Sequence, residues 1–308
     1  MEKKIFDLII IGSGPAGLSA AVYACRSGLK TLILGNAAAS QTFRIDLLEN
    51  YPGVFPAQKG YAFIDSMKNQ AEKFGAVTDM NQVVSVEVPA VQGGMFVVNT
   101  DKISYTAVSV MLCTGAVHKK LGVEGEDTLY GKGVSYCATC DGPFFKGKKV
   151  AVVGGGDSAC SEALFLSSIC SEVILIHRRN EFRAQKSLVE QVEKNPVVKI
   201  MLDSVVQSIN GRDKVESVTV GGENIAVDGV FVSVGTVPAQ TFVPELKKDD
   251  VGYVVTGEDM QTSVSGLFAA GDIRSKSMRQ VVTACSDGAV AAGAALLYVK
   301  NLKNEVHK

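Results

Sequence analysis

The sequence predicts an α/β protein of two Rossmann-like domains, each a three-layer ββα unit, with the second inserted into the first. Repetition, spacing and length carry this reading. A strand, a glycine turn, a helix and a second strand follow one another near the N-terminus, and the same order returns in mid-chain. Gly12 and Gly35 lie 23 residues apart, as do Gly154 and His177. A chain of 308 residues suits about two domains. The expected division is 1–117 with 246–308 for the outer domain and 118–245 for the inserted one.

Residues 4–11 read as a buried parallel strand, because an unbroken apolar run is what a strand covered on both faces requires. Gly12-Ser13-Gly14-Pro15-Ala16-Gly17 is the turn, residues 18–26 carry helical spacing, and residues 30–34 form the next strand. Residues 83–88 and 95–99 predict an antiparallel ribbon. Residues 108–113, closed by Thr114-Gly115, predict a strand returning to the first sheet. The second repeat runs from a strand at 149–153 through Gly154-Gly155-Gly156-Asp157-Ser158-Ala159, then a helix over 160–168 and a strand over 172–176. A hairpin follows around Gly221-Gly222, then a strand at 230–234. Residues 266–270 lead into Gly271-Asp272, and a helix from about 278 to 299 closes the pattern.

Both turns fit the Gly-x-Gly-x-x-Gly/Ala fingerprint of dinucleotide binding. The first glycine permits a sharp turn, and the second lets backbone approach a pyrophosphate. The third position, Gly17 or Ala159, lets the helix pack closely. The N–H groups and dipole of the helix then hold the phosphates. One such motif is often only a tight turn; two in full strand–helix–strand context imply two dinucleotide modules.

Composition excludes several classes. Hydrophobic residues at 46% and charged residues at 20% exclude a mainly disordered chain. Lys and Arg number 31 against 32 Asp and Glu, so no global basic field exists for nucleic acid or a membrane surface. The longest apolar run, 289–299, stops at Lys300, short of the ~20 residues of a membrane span. The charged start leads into a strand that Asp7 interrupts, unlike a signal peptide, so a cytoplasmic location is the expectation.

Seven cysteines cannot all pair internally, which suits a reducing compartment. Among them Cys137 and Cys140 form the one Cys-x-x-Cys. Two residues between thiols allow a disulfide at the start of a helical turn, where N–H groups stabilise a thiolate. Half of a zinc site, or two chance structural thiols, are the rival readings. The histidines are His118, His177 and His307, and no second Cys-x-x-Cys exists, so no metal is expected. Asp141 follows the pair and can exchange protons with a thiol or cap a helix. His177, Arg178, Arg179 and Arg183 follow the second strand of the second repeat, where a dinucleotide ribose sits. Arginines there accommodate a 2′-phosphate and argue for NADPH; the alternative is a solvated basic loop. The first repeat has no such arginines. A flavin there is a sensible converter between hydride and thiol chemistry.

Together these residues resemble the low-molecular-weight thioredoxin reductases over nearly the whole chain. The carriers are Gly12–Gly17, Glu49-Asn50-Tyr51-Pro52-Gly53, Tyr136-Cys137-Ala138-Thr139-Cys140-Asp141-Gly142, Gly154–Ala159, the arginine loop, Ala270-Gly271-Asp272 and Arg279-Gln280-Val281. The resemblance implies an FAD domain in two segments, an inserted NADPH domain, and a homodimer. It implies that Cys140 meets the flavin, Cys137 attacks a thioredoxin or thioredoxin-like disulfide, and Asp141 is the acid. Asn50, Asp272, Arg279, Gln280 and Val281 would lie by the flavin, with Gln41, Thr114 and Gly115 in the same site. It also implies rotation of the inserted domain, with hinges near Val117 and Pro244. Ala39-Ser40-Gln41 stands where the family carries Gly-Gly-Gln. The alternatives of the same class are a reductase of another thioredoxin-like or peroxiredoxin-system protein, or one using a donor other than NADPH.

Overall fold

The structure is a computed structural model that describes residues 5–45 and 47–306. Lys4, expected to open the first strand, and His307 lie outside the described residues. The chain divides into two compact units, Met1–Val117 with Val237–Lys308, and His118–Thr236.

The first unit is built on a mixed sheet. Val77–Asp79, Thr31–Leu34, Ile5–Ile11, Ser104–Leu112 and Leu267–Ala269 run parallel. The antiparallel pair Phe96–Thr100 and Val83–Glu87 extends from Ser104–Leu112. Side chains of Ile5–Ile11 alternate between faces, and both faces are covered. Leu8 and Ile10 share a core with Leu18, Ala20, Ala21 and Ala24 of the helix Pro15–Arg26, and with Ala291, Ala292 and Ala295 of the helix Val281–Val306. Ile9 and Ile11 share the other with Phe96, Val98, Val83 and Val86 of the ribbon. Ribbon, sheet and helices give the three layers expected.

The C-terminal helix corrects one expectation. An 18-residue window within its Val281–Asn304 stretch has a mean hydropathy of 1.5, enough by length and composition to cross a membrane. Counting unbroken apolar runs missed this, because Val281, Val282, Ala284 and Cys285 before Ser286 and Asp287, and Ala289 and Val290 after them, hold the average up. In the fold one face of the helix joins the core: Ala291 and Ala295 are fully buried against the first helix, and Asp287 is buried and ion-paired.

The second unit repeats the plan. Val198–Met201, Glu172–Ile176, Lys149–Val153, Gly229–Val232 and Val134–Ser135 form a parallel five-stranded sheet in that order. The helix Asp157–Ser167 packs on one face. The meander Val206–Asn210, Ser217–Val220 and Glu223–Ala226 supplies the other face's cover.

Candidate functional site

The two glycine turns make the same kind of close backbone approach at their first glycine. Gly12 has φ +113°, a value L side chains rarely adopt, and a Cβ there would lie 2.3 Å from the Cys113 carbonyl oxygen. A Cβ on Gly154 would lie 2.2 Å from the Ser233 carbonyl oxygen. Each first glycine is therefore pressed against the end of a neighbouring strand. A Cβ on Gly17 would meet the Gly12 oxygen at 1.9 Å, so the helix sits on its own turn. The second glycines differ in kind: Gly156 has nothing within 4 Å, and Gly14 only the Ser40 Cβ at 3.7 Å. Space is kept where a ligand approaches. Gly14 and Gly156 are also the N-caps of Pro15–Arg26 and Asp157–Ser167, and no side chain caps either helix. First-turn N–H groups remain for phosphate oxygens.

Around the first turn, Ser13 Oγ, Thr114 Oγ1 and Asp272 Oδ1 are buried with no hydrogen-bond partner among the described residues. Buried polar atoms are normally paired, so three orphans around one phosphate loop fit a polyhydroxylated nucleotide such as a flavin dinucleotide. Burial raises the Asp272 pKa, while the charges of Lys276 and Arg279 act to lower it. Gly115 turns at φ +77°. Gln41 donates to the Ala116 carbonyl, and Asn50 Nδ2 donates to Gln280 Oε1 at 3.2 Å. Arg279 is heavily engaged: its guanidinium lies 4.0 Å from the Tyr253 ring centre and donates to the carbonyls of Asp272, Arg274 and Lys276. It clamps the turn that carries Asp272. Val281 opens the C-terminal helix.

In the second unit, the His177 ring lies across the second turn, 2.1 Å from where a Gly155 Cβ would stand, and stacks on Phe182. Its Nε2 is a further buried atom without a partner among the described residues. Burial lowers its pKa, and Arg183, Arg179 and Arg178 add to that effect, so the ring is neutral near pH 7. Arg183 N donates to the Gly155 carbonyl at 2.7 Å, which ties the arginine loop to the phosphate turn. The three arginine side chains are exposed. Ser158 is exposed in the first turn of its helix, and Asp157 accepts from Gln185 N and Nε2 at 2.7 and 3.1 Å.

Cys137 and Cys140 form a disulfide, with Cα atoms 5.3 Å apart. Cys137 is the N-cap of the short helix Ala138–Asp141. The segment has two anchors. Ser135 Oγ donates to Asp141 Oδ2 at 2.6 Å and accepts from Cys137 N at 3.0 Å. Tyr136 Oη donates to Glu126 Oε1 at 2.8 Å, and the Glu126 carboxylate also accepts from Leu121 N and Gly122 N. Tyr136 stacks on His118 with ring centres 5.0 Å apart. Beneath the dithiol turn, burial pushes the Glu162 carboxyl up to about 7, against the pull of the Ser233 hydroxyl and the Ala138 N–H. The other cysteines are free thiols, and burial raises the pKa of each. They lack the electropositive setting of a reactive thiolate. Among the described residues, no group of three or more His, Cys, Asp or Glu could hold a metal ion.

Ser135, Glu126, Glu162 and Asp287 escaped the sequence reading. Each acts through side-chain contacts that the linear pattern does not show: Ser135 on Asp141, Glu126 on Tyr136, Glu162 on the Ala138 N–H of the dithiol turn, and Asp287 on Gly271. Asp287 alone left a trace, as an acid in an otherwise Ala- and Gly-rich helix.

The chain matches the pyridine nucleotide-disulphide oxidoreductase family over residues 6–288. It is 47% identical over 306 residues to a thioredoxin reductase of Treponema pallidum (strain Nichols), covering 97% of this chain and 99% of that protein. It is 43% identical over 312 residues to one of Peptoclostridium acidaminophilum, covering 97% and 98%. Among solved structures, thioredoxin reductase from Streptococcus pyogenes MGAS5005 is similar with a TM-score of 0.90 at 39% identity, covering 97% of this chain and all of that one.

Proposed function

The chain belongs to the pyridine nucleotide-disulphide oxidoreductase family, among the thioredoxin reductases, and on that premise we propose that it passes electrons from NADPH, by way of FAD, to the disulfide of thioredoxin. The observation that carries the reading is a Cys137–Cys140 disulfide in the same unit as a second, open phosphate turn flanked by three exposed arginines.

The first unit would hold FAD. Gly12, Gly14, Ala16 and Gly17 shape the cradle that Pro15 opens as a helix. Ser13, Thr114 and Asp272 offer polar atoms to the nucleotide, and Gln41, Asn50, Gly115, Gly271, Arg279, Gln280 and Val281 complete the surround. The second unit would hold NADPH on Gly154, Gly155, Gly156, Asp157 and Ser158. His177 would lie under the ribose, with Arg178, Arg179 and Arg183 on the 2′-phosphate. When bound, the flavin supplies the conversion between nicotinamide hydride chemistry and thiol chemistry.

The protein's own steps balance as follows. The Cys137–Cys140 disulfide takes two electrons and two protons and opens to two thiols. The Cys137 thiolate attacks the thioredoxin disulfide, forms a mixed disulfide and expels one partner thiolate. Cys140 then attacks Cys137 Sγ, expels the second partner thiolate and restores the starting disulfide. Asp141, steadied by Ser135, exchanges the protons. We take the protein to be a cytoplasmic homodimer; light scattering of the purified protein tests the dimer, and fractionation of the cells that make it tests the location. The function itself is tested by mixing purified protein with NADPH, NADH and oxidised thioredoxin. The reading expects a yellow protein bleached by NADPH far better than by NADH and re-coloured by thioredoxin; colour that neither nucleotide bleaches would overturn it.

A further inference from the structure

We propose that Asp287 is a positioning residue for the Asp272 carboxylate, an inference that rests on the first unit being the flavin site. Asp287 is 7% exposed, one turn and a half into a helix of small apolar residues. One oxygen, Oδ2, accepts from three donors: Gly271 N at 3.0 Å, Lys276 Nζ at 2.9 Å and Arg274 Nη1 at 2.9 Å. The Lys276 and Arg274 side chains are themselves almost buried, at 11% and 12%. Two buried cations thus depend on one carboxylate. A buried ion pair is costly to desolvate, and fold stability alone is a weak reason to keep one.

Its placement gives it two tasks. The hydrogen bond from the N–H of Gly271, a turn residue at φ +81°, fixes the Ala270–Gly271 peptide, one link before the peptide that leads into Asp272. The ion pairs hold Lys276 and Arg274 on Asp287 itself. The Lys276 charge already reaches Asp272 electrostatically. Released from Asp287, it would turn to an open acceptor within its electrostatic reach, Asp272 Oδ1, the atom left without a protein partner among the described residues. Asp287 therefore keeps Asp272 both oriented and available to a ligand hydroxyl. The next residue, Gly288, meets the first phosphate helix: a Cβ there would lie 2.1 Å from the Ala16 carbonyl oxygen. Asp287 thus stands where the Gly271–Asp272 turn meets the phosphate cradle. The role of Arg279, which holds the same turn by its carbonyls, is separate.

The test is flavin titration of deflavinated protein, with FAD as probe and far-ultraviolet circular dichroism as the fold control. Asp287→Asn keeps an oxygen for Gly271 but frees the cations, and the expected result is at least a tenfold rise in the FAD dissociation constant. Adding Lys276→Met to Asp287→Asn removes the freed lysine, and affinity returns to within about threefold of the parent. A purely structural role predicts no such rescue. Asp287→Asn binding FAD like the parent, a double variant no better than the single, or a double variant that does not fold, each overturns the proposal. A parent protein that takes up no FAD overturns the flavin reading first, and this inference with it.

Discussion

Replacing Glu162 by Gln should remove a pH-dependent weakness from the second unit. Burial raises the Glu162 carboxyl from 4.5 to about 7, and its Oε2 has no partner among the described residues. Between those two values the folded chain keeps a proton that the unfolded chain releases. Stability must therefore fall as pH climbs through that window, and level off above it. Below 4.5 both states are protonated and the burden vanishes. For a shift from 4.5 to about 7, the loss between pH 5 and pH 8 amounts to about 2–3 kcal/mol. Gln has the same shape and keeps a carbonyl oxygen for Ala138 N–H and the Ser233 hydroxyl, but it does not ionise. Urea unfolding of parent and Glu162→Gln at pH 5 and pH 8 measures the effect. The variant should match the parent closely at pH 5 and exceed it by about 2 kcal/mol at pH 8. Parallel pH dependence in the two proteins would refute the reasoning, and so would a variant weaker than the parent at pH 8.

Cys140→Ser should leave NADPH bleaching of the flavin intact and reduce thioredoxin turnover to background, since no thiol remains to resolve the mixed disulfide; persistent turnover contradicts the assigned order of attack. Changing both Arg178 and Arg179 to Gln should raise KM for NADPH by ~100-fold with little change for NADH, because each charge-assisted contact to a phosphate is worth ~1.5–3 kcal/mol. Equal losses for the two nucleotides mean that the arginines do not read the 2′-phosphate. Gly17→Ala places a Cβ 1.9 Å from the Gly12 oxygen and must spread helix and turn. It should cost ~1–3 kcal/mol of stability and weaken FAD retention, whereas Gly156→Ala, with open space around it, should fold normally and weaken NADPH alone. Normal FAD retention in Gly17→Ala argues against the close packing described.

Much of the fold was legible because its central strands are covered on both faces. Ile5–Ile11, Lys149–Val153 and Glu172–Ile176 are written as nearly unbroken apolar runs, and no surface helix can be. Edge elements were harder. Val77–Asp79 exposes two of its three residues, and Lys186–Lys194 fully buries only Val192, so neither leaves a strong pattern. Both phosphate helices begin three residues before the apolar spacing does, at Pro15 and Asp157. Residues of the glycine fingerprint are already helical there. The cradles were legible for a related reason: they are backbone features, and glycine and proline write backbone geometry directly into a sequence. Ser135 on Asp141 spans only six residues, yet it depends on the side chains folding back on one turn. Asp287 on Gly271 spans a helix and a turn, which no local pattern encodes.

Anaerobic rapid mixing of the purified protein with NADPH, with thiols trapped and counted at each time point, tests the central claim most directly. Flavin absorbance should fall, two new thiols should then appear at Cys137 and Cys140, and oxidised thioredoxin should reverse both. Flavin reduction with the Cys137–Cys140 disulfide still closed, at every time point and with thioredoxin present, would contradict it.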